Sequence, residues 1–182
     1  MRQLKYHEKK LLKKVDFFSW KTDNIREGTI IQKYFIQNRE DYIKYNKLVG
    51  KITKFVSKIK LLAQDDETRM TLSTHLLQKL YNMGIINNTT SLTSIEKLSV
   101  SSFCRRRLPV VMVRLKMAET LKEATTFIEH GHIRVGPNVI TDTAFLVTRT
   151  FEDYVTWVDS SKIKRTIMKY NDKLDDYDLL GN

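Results

Sequence analysis

Between Thr120 and Ile140 the chain reads TLKEATTFIEHGHIRVGPNVI. A helix start, a helix stop and a reversal of direction follow one another without a gap. Thr120 and Glu123 form a capping box, in which the hydroxyl and the carboxylate satisfy the first free N–H groups of a helix. Leu121, Ala124, Phe127 and Ile128 then share one helical face. Gly131 supplies the left-handed residue that ends such a helix, with His130 in the last turn. Beyond it the apolar period becomes two. His132–Val135 and Val139–Ile140 flank Gly136-Pro137-Asn138 and read as a hairpin.

The neighbouring residues extend this unit in both directions. Pro109 suits the first turn of a helix, whose face carries Leu108, Met112 and Leu115 and which turns at Met117–Ala118. Phe145–Val147 and Tyr154–Val158 read as further strands. Residues 105–159 thus form two helices followed by a small antiparallel sheet, a unit too small for a deep catalytic pocket of its own.

The upstream residues are basic and mostly helical. Residues 1–60 hold 16 Lys/Arg against 6 Asp/Glu, a net of +10 out of +11 for the whole chain. An amphipathic helix is expected over 4–18, with Leu4, Leu11, Leu12, Val15 and Phe18 on one side. Residues 22–37 are ambiguous, with Gly28 as a breaker and a possible short strand at Thr29–Ile31. A long helix is expected from Arg39 to about Leu62, its apolar seam formed by Leu48, Ile52, Phe55, Ile59 and Leu62. Another runs from Thr68 to Met83, with Gly84 at the position of a helix-ending left-handed residue. Residues 85–103 read as a connector with a brief helix. The division is therefore 1–104, 105–159 and a 160–182 extension ending in the acidic tail NDKLDDYDLLGN. The fold class is α+β.

A net charge of +11 and a pI near 9.7 favour polyanionic partners. With 41% apolar residues the chain can form a core. Cys104 is the single cysteine, so no intramolecular disulfide and no cysteine-based zinc site can form, which fits a reducing intracellular compartment. The first residues resemble neither a signal peptide nor a presequence, and no apolar run has the length of a membrane span. Of the two polyanions, nucleic acid is favoured over a membrane surface.

The sequence offers little for catalysis. His130 and His132 are two apart across a glycine, which is not a metal-pair spacing, so no metal is expected. Cys104 as a nucleophile would need a histidine base, and a connector cysteine is the simpler reading. No phosphate-cradling glycine motif is present, and no cofactor or small-molecule substrate is expected. Asp65–Asp66 and Asp175–Asp176 read as solvated pairs. What remains is a cluster of cations: Arg105, Arg106 and Arg107 before a helix, Arg114 and Lys116 further along it, and His132 and Arg134 opening the hairpin. These seven are the expected phosphate contacts on structured RNA, the first three converging with the free N–H groups of the helix start.

Residues Arg107-Leu108, Lys116-Met117-Ala118-x-Thr120, Glu123-Ala124 and Ile128-x-His130-Gly131-His132-Ile133-x-Val135 resemble the S-four RNA-binding domain. Two positions depart from that pattern: Pro109 stands where an aspartate cap is usual, and Gly136-Pro137-Asn138 replaces an Asn-Gly turn. A wider resemblance spans nearly the whole chain. It is carried by LLKKVDFFSWK, YFIQNREDYIKYNK, KLYNMGI, CRRRLPVVMVRLKMAET, GHIRVGPNVITD, AFLVTR and EDYVTWVD. These are similar to a family of U-three small nucleolar ribonucleoprotein components of the small-subunit processome.

The resemblance implies a non-catalytic nucleolar assembly factor. It would bind U-three small nucleolar RNA and pre-ribosomal RNA and promote their pairing for 18S rRNA processing. It also implies M-phase phosphoprotein ten and the fourth IMP protein as partners. A structural small-subunit ribosomal protein of the S-four family is the alternative. An RNA-modifying enzyme using the domain as an accessory is a third reading.

Overall fold

The computed structural model describes residues 2–15 and 24–173. Phe18 of the expected first helix and residues 174–182 of the acidic tail lie outside the described residues. The helices are α1 (Tyr6–Lys14), α2 (Asn24–Tyr34), α3 (Arg39–Lys60), α4 (Glu67–Asn82), α5 (Thr93–Glu96), α6 (Val100–Cys104), α7 (Leu108–Arg114) and α8 (Leu121–Glu129). Strands β1 (Ile133–Val135) and β2 (Asn138–Val139), helix α9 (Arg149–Glu152), strand β3 (Val155–Trp157) and helix α10 (Lys162–Tyr170) follow. The sheet is antiparallel, in the order β2-β1-β3, with Val135 opposite both Asn138 and Val155. The α+β architecture matches expectation. Helix α10 was not anticipated in the C-terminal extension.

Three apolar clusters hold the described chain together. Leu108, Val111 and Met112 of α7 meet Ala124 and Ile128 of α8 and Ile133, Val135 and Val155 of the sheet. The second cluster joins Tyr34, Ile36 and Tyr45 to Val100, Phe103 and Cys104, with Val110 and Leu146 packed on it. The basic helices are therefore seated against the helix–helix–sheet unit. The third gathers Val56, Leu77, Leu80, Ile86 and Ile95 between α3, α4 and α5. Burying a side chain such as Leu80 or Ile95 is worth about 1.5–3 kcal/mol, so each cluster outweighs any single surface contact.

Several expectations are corrected. Residues 24–34 are helical through Gly28 and Thr29–Ile31, and no strand forms there. Ile30 and Ile31 pack on the second cluster, and that burial overrides the helix cost of Gly28, about 1 kcal/mol. On α3 the inward side is Asp41, Tyr45, Val49, Ile52, Val56 and Ile59, whereas Leu48, Phe55 and Leu62 stay exposed. The expected seam is thus rotated by part of a turn, and only Ile52 and Ile59 belong to both.

Phe145–Val147 does not join the sheet. Leu146 pairs with Arg107 in a single bridge, the Leu108 N–H donates to the Phe145 carbonyl at 2.9 Å, and the Val147 N–H donates to the Arg106 carbonyl at 2.8 Å. Pro109 has no N–H to continue that ladder, so the segment ends as a one-rung clasp. In the hairpin, Asn138 belongs to β2, and the loop is Gly136-Pro137 alone. Gly136 has φ +62°, as the first central residue of a II′ turn requires.

Candidate nucleic-acid interface

The local chemistry around α8 follows its sequence. The Glu123 N–H donates to the Thr120 hydroxyl at 3.2 Å, and the Thr120 N–H donates to the Glu123 carboxylate at 3.3 Å. Gly131 has φ +70° and ends the helix. The α7–α8 turn pivots on Lys116, a non-glycine residue at φ +60° whose side chain is exposed. This αL position holds Lys116 at the corner between the two helices.

The three consecutive arginines go to three different places. Arg105 is exposed, and its guanidinium has no hydrogen bond or ion pair among the described residues. Arg106 is 6% exposed. It donates from Nε to the Val147 carbonyl at 2.9 Å and from Nη1 to Glu152 at 3.0 Å. Arg107 is 1% exposed and pairs with Asp41 of α3 at 3.3 Å.

Arg107 is therefore withdrawn from the expected phosphate contacts: its guanidinium is in the interior. The expected phosphate cradle of free N–H groups is also absent. At the start of α7 the Leu108 N–H is taken by Phe145, Pro109 has none, and Val110 and Val111 donate to the Arg107 carbonyl.

Arg114 remains half exposed and pairs with the second oxygen of Glu152. Glu152 thus bridges Arg106 and Arg114. Arg149, one turn earlier on α9, is a residue that sequence reasoning missed. It donates to the Tyr81 and Ile86 carbonyls at 2.8 and 2.9 Å, with its guanidinium 4.2 Å from the Tyr81 ring centroid. These contacts are cation–π and charge-assisted hydrogen bonds. Together Arg105, Arg106, Arg114, Arg149 and Glu152 line a polar cleft of about 370 Å³.

His132 and Arg134 stand elsewhere, the first immediately before β1 and the second within it. His132 Nδ1 lies 3.0 Å from the hydroxyl of the buried Ser161, which also caps α10. Arg134 donates to the Thr156 hydroxyl at 3.1 Å and to Asp159 at 2.6 Å. The Lys164 hydrogen bond, then the Arg134 charge, hold the Asp159 carboxyl below its usual range. The cleft lining includes neither His132, Arg134 nor Lys116. The seven expected residues therefore separate into a cleft set, a corner lysine, a sheet pair and one interior arginine.

The remaining reactive groups are quiet. Burial pushes the Cys104 thiol up to about 11, against the opposing pull of Arg107. At neutral pH it is a protonated thiol, not a nucleophile. The His130 and His132 rings meet edge to face at 6.1 Å. Among the described residues no three His, Cys, Asp or Glu side chains gather as a metal site. No described helix is long and apolar enough to cross a membrane.

Comparison with known proteins places this geometry. The model of the ribosomal protein S4/S9 N-terminal domain matches residues 3–105, and that of the S4 domain matches residues 106–152. The U3 small nucleolar ribonucleoprotein protein IMP3 of Saccharomyces cerevisiae is 53% identical over 98% of both chains. The chain belongs to the IMP3 family. Its human relative of the same name is 49% identical, again over 98% of both chains. The small ribosomal subunit protein uS4 of Sulfurisphaera tokodaii is 30% identical over 77% of this chain and 78% of its own. The S-four resemblance read from the hairpin and its flanking helices is thereby confirmed.

Proposed function

We propose that this protein is a non-catalytic RNA-binding assembly factor of the small-subunit processome. Acting in the nucleolus, it promotes pairing of U3 small nucleolar RNA with pre-ribosomal RNA for 18S rRNA processing. The observation that carries this reading is the match, over 98% of both chains, to relatives named as U3 small nucleolar ribonucleoprotein proteins.

The surface chemistry supports it. Arg105, Arg114 and Lys116 present exposed cations, Arg106 lines the cleft with fixed partners, and His132 and Arg134 add a second, separate pair beside the sheet. Residues 105–159 would grip RNA through phosphates, and residues 1–104 would extend that grip as a basic helical arm. Annealing two RNAs needs cations that reduce strand repulsion rather than a reacting side chain. M-phase phosphoprotein ten and the fourth IMP protein are the proposed protein partners.

The experiment is an annealing assay. Labelled fragments of U3 RNA and of the pre-ribosomal RNA are mixed with the full chain at stoichiometric protein. Faster pairing with both RNAs chemically intact is the expected outcome; no acceleration at saturating protein would refute it. The similarity to uS4 supports a second reading, a structural protein of the mature subunit. Gradient fractionation separates the two: large precursor particles fit the first, mature small subunits the second.

A further inference from the structure

The cleft beneath α9 assembles four guanidiniums around a single carboxylate, from segments far apart in the chain. Its lining comes from the turn after α4 (Gly84, Ile85, Asn87), from Ser102 and Arg105, from Arg106 and Arg114, and from Arg149 and Glu152. Both oxygens of Glu152 are engaged by Arg106 and Arg114, so it offsets part of the charge and three positive charges remain. Holding like charges together costs free energy unless an anion joins them.

The cleft is also built rather than accidental. Gly84 has φ +71°, and a Cβ there would lie 2.8 Å from both Nε and Cζ of Arg106. The guanidinium therefore rests directly on glycine backbone, a close approach that other residues do not allow. Arg106 Nη2 is buried without a hydrogen-bond partner, which is uncommon for a cationic donor. Arg149 is fixed by two backbone carbonyls. Arg105 has no partner among the described residues, and Arg114 is half exposed.

We propose that this cleft seats one backbone phosphate of RNA, with Arg105 and Arg114 as the contacting forks and Arg106 and Arg149 as the fixed positive wall. This rests on the RNA-binding reading above and narrows it to one site. The neighbours of the cleft residues favour nucleic acid over a phosphorylated peptide. Met83 and Phe151 adjoin Gly84 and Glu152 and line a second open groove with His75, Gln78 and Lys79. Phe151 is 47% exposed there. A cationic seat followed by an open, largely apolar groove with an exposed aromatic ring suits a strand whose bases stack while its phosphates are held. The cleft itself has one apolar residue, Ile85, and so no pocket for peptide side chains.

The test uses the full chain and a short mixed-sequence, fluorescein-labelled single-stranded RNA, titrated at several KCl concentrations. The Arg105→Ala/Arg114→Ala double variant should bind about tenfold more weakly. Its slope of log affinity against log salt should fall by about one, because both side chains serve the same phosphate. Both residues are exposed, so an unchanged unfolding midpoint confirms the fold. Glu152→Gln keeps a carbonyl acceptor for the arginines but removes the countercharge, and should tighten binding.

An unaltered affinity, or a slope loss near two, would overturn the single-phosphate seat; so would weaker binding by Glu152→Gln. A phosphoserine peptide that binds more tightly than the RNA, and loses that binding in the double variant, would reassign the cleft to a protein and overturn the proposal. If the unmodified chain binds no RNA, the broader functional reading fails as well.

Discussion

Arg107 faces Asp41 across the boundary between α7 and α3, with side-chain exposures of 2% and 12%. A surface pair of this kind would contribute almost nothing. In the interior, removing one partner leaves a charge without compensation, which costs about 3–5 kcal/mol. Arg107→Ala is therefore expected to destabilise the protein by about 3 kcal/mol in denaturant titration, and Arg105→Ala by less than about 0.5 kcal/mol, as for an exposed unpaired residue. Equal losses at the two positions would show that Arg107 is not an anchor.

Beside it, Cys104 is 0% exposed and its thiol titrates near 11 instead of 9.0. Below pH 9 both folded and unfolded chains keep the proton. Between pH 9 and 11 the unfolded chain loses it first, so stability must fall as pH rises through that window. Burial raises the Tyr45 hydroxyl too, extending the loss above pH 10. Wild type should weaken between pH 9 and 11 more than Cys104→Ala in paired chemical denaturation curves. Parallel pH profiles would contradict the assignment.

At the level of elements, what was legible depended on how local its cause is. Helix α8 could be read because the capping box, the apolar face and Gly131 all lie within a dozen residues. The hairpin followed from period two and a glycine, although only the structure shows that the loop is Gly136-Pro137 and that Asn138 pairs. Helix α2 was not legible. Gly28 and the β-branched run after it argue locally against a helix, and packing on α3 and the buried Glu27, which accepts from Arg39 at 2.6 Å, decides otherwise.

The cleft was half legible. Its arginines at 105, 106 and 114 drew attention by clustering, but Gly84, Arg149 and Glu152 lie in separate segments with no common spacing. The run Arg105-Arg106-Arg107 could not be resolved from sequence either. The chain turns between α6 and α7, so adjacent side chains point outward, into the cleft wall and into the core.

In the molecule as a whole, charge and burial are distributed unequally. Helix α1 buries none of its residues, yet residues 2–15 hold six Lys/Arg against Glu8 alone. An element that buries nothing contributes little to folding, whereas an exposed run of cations raises the local concentration of an RNA and speeds its capture. The two roles separate in one variant. A chain lacking residues 1–15 should unfold at the wild-type denaturant midpoint but associate with RNA several-fold more slowly at low salt, the difference shrinking as salt screens the field. Dissociation, governed by the cleft and its seated phosphate, should change little, because rim charges act on capture more than on release. Stopped-flow association and dissociation at two salt concentrations measure both. A faster off-rate with an unchanged on-rate would mean that α1 grips the bound RNA directly. A lowered midpoint would mean that α1 packs against the folded chain in solution.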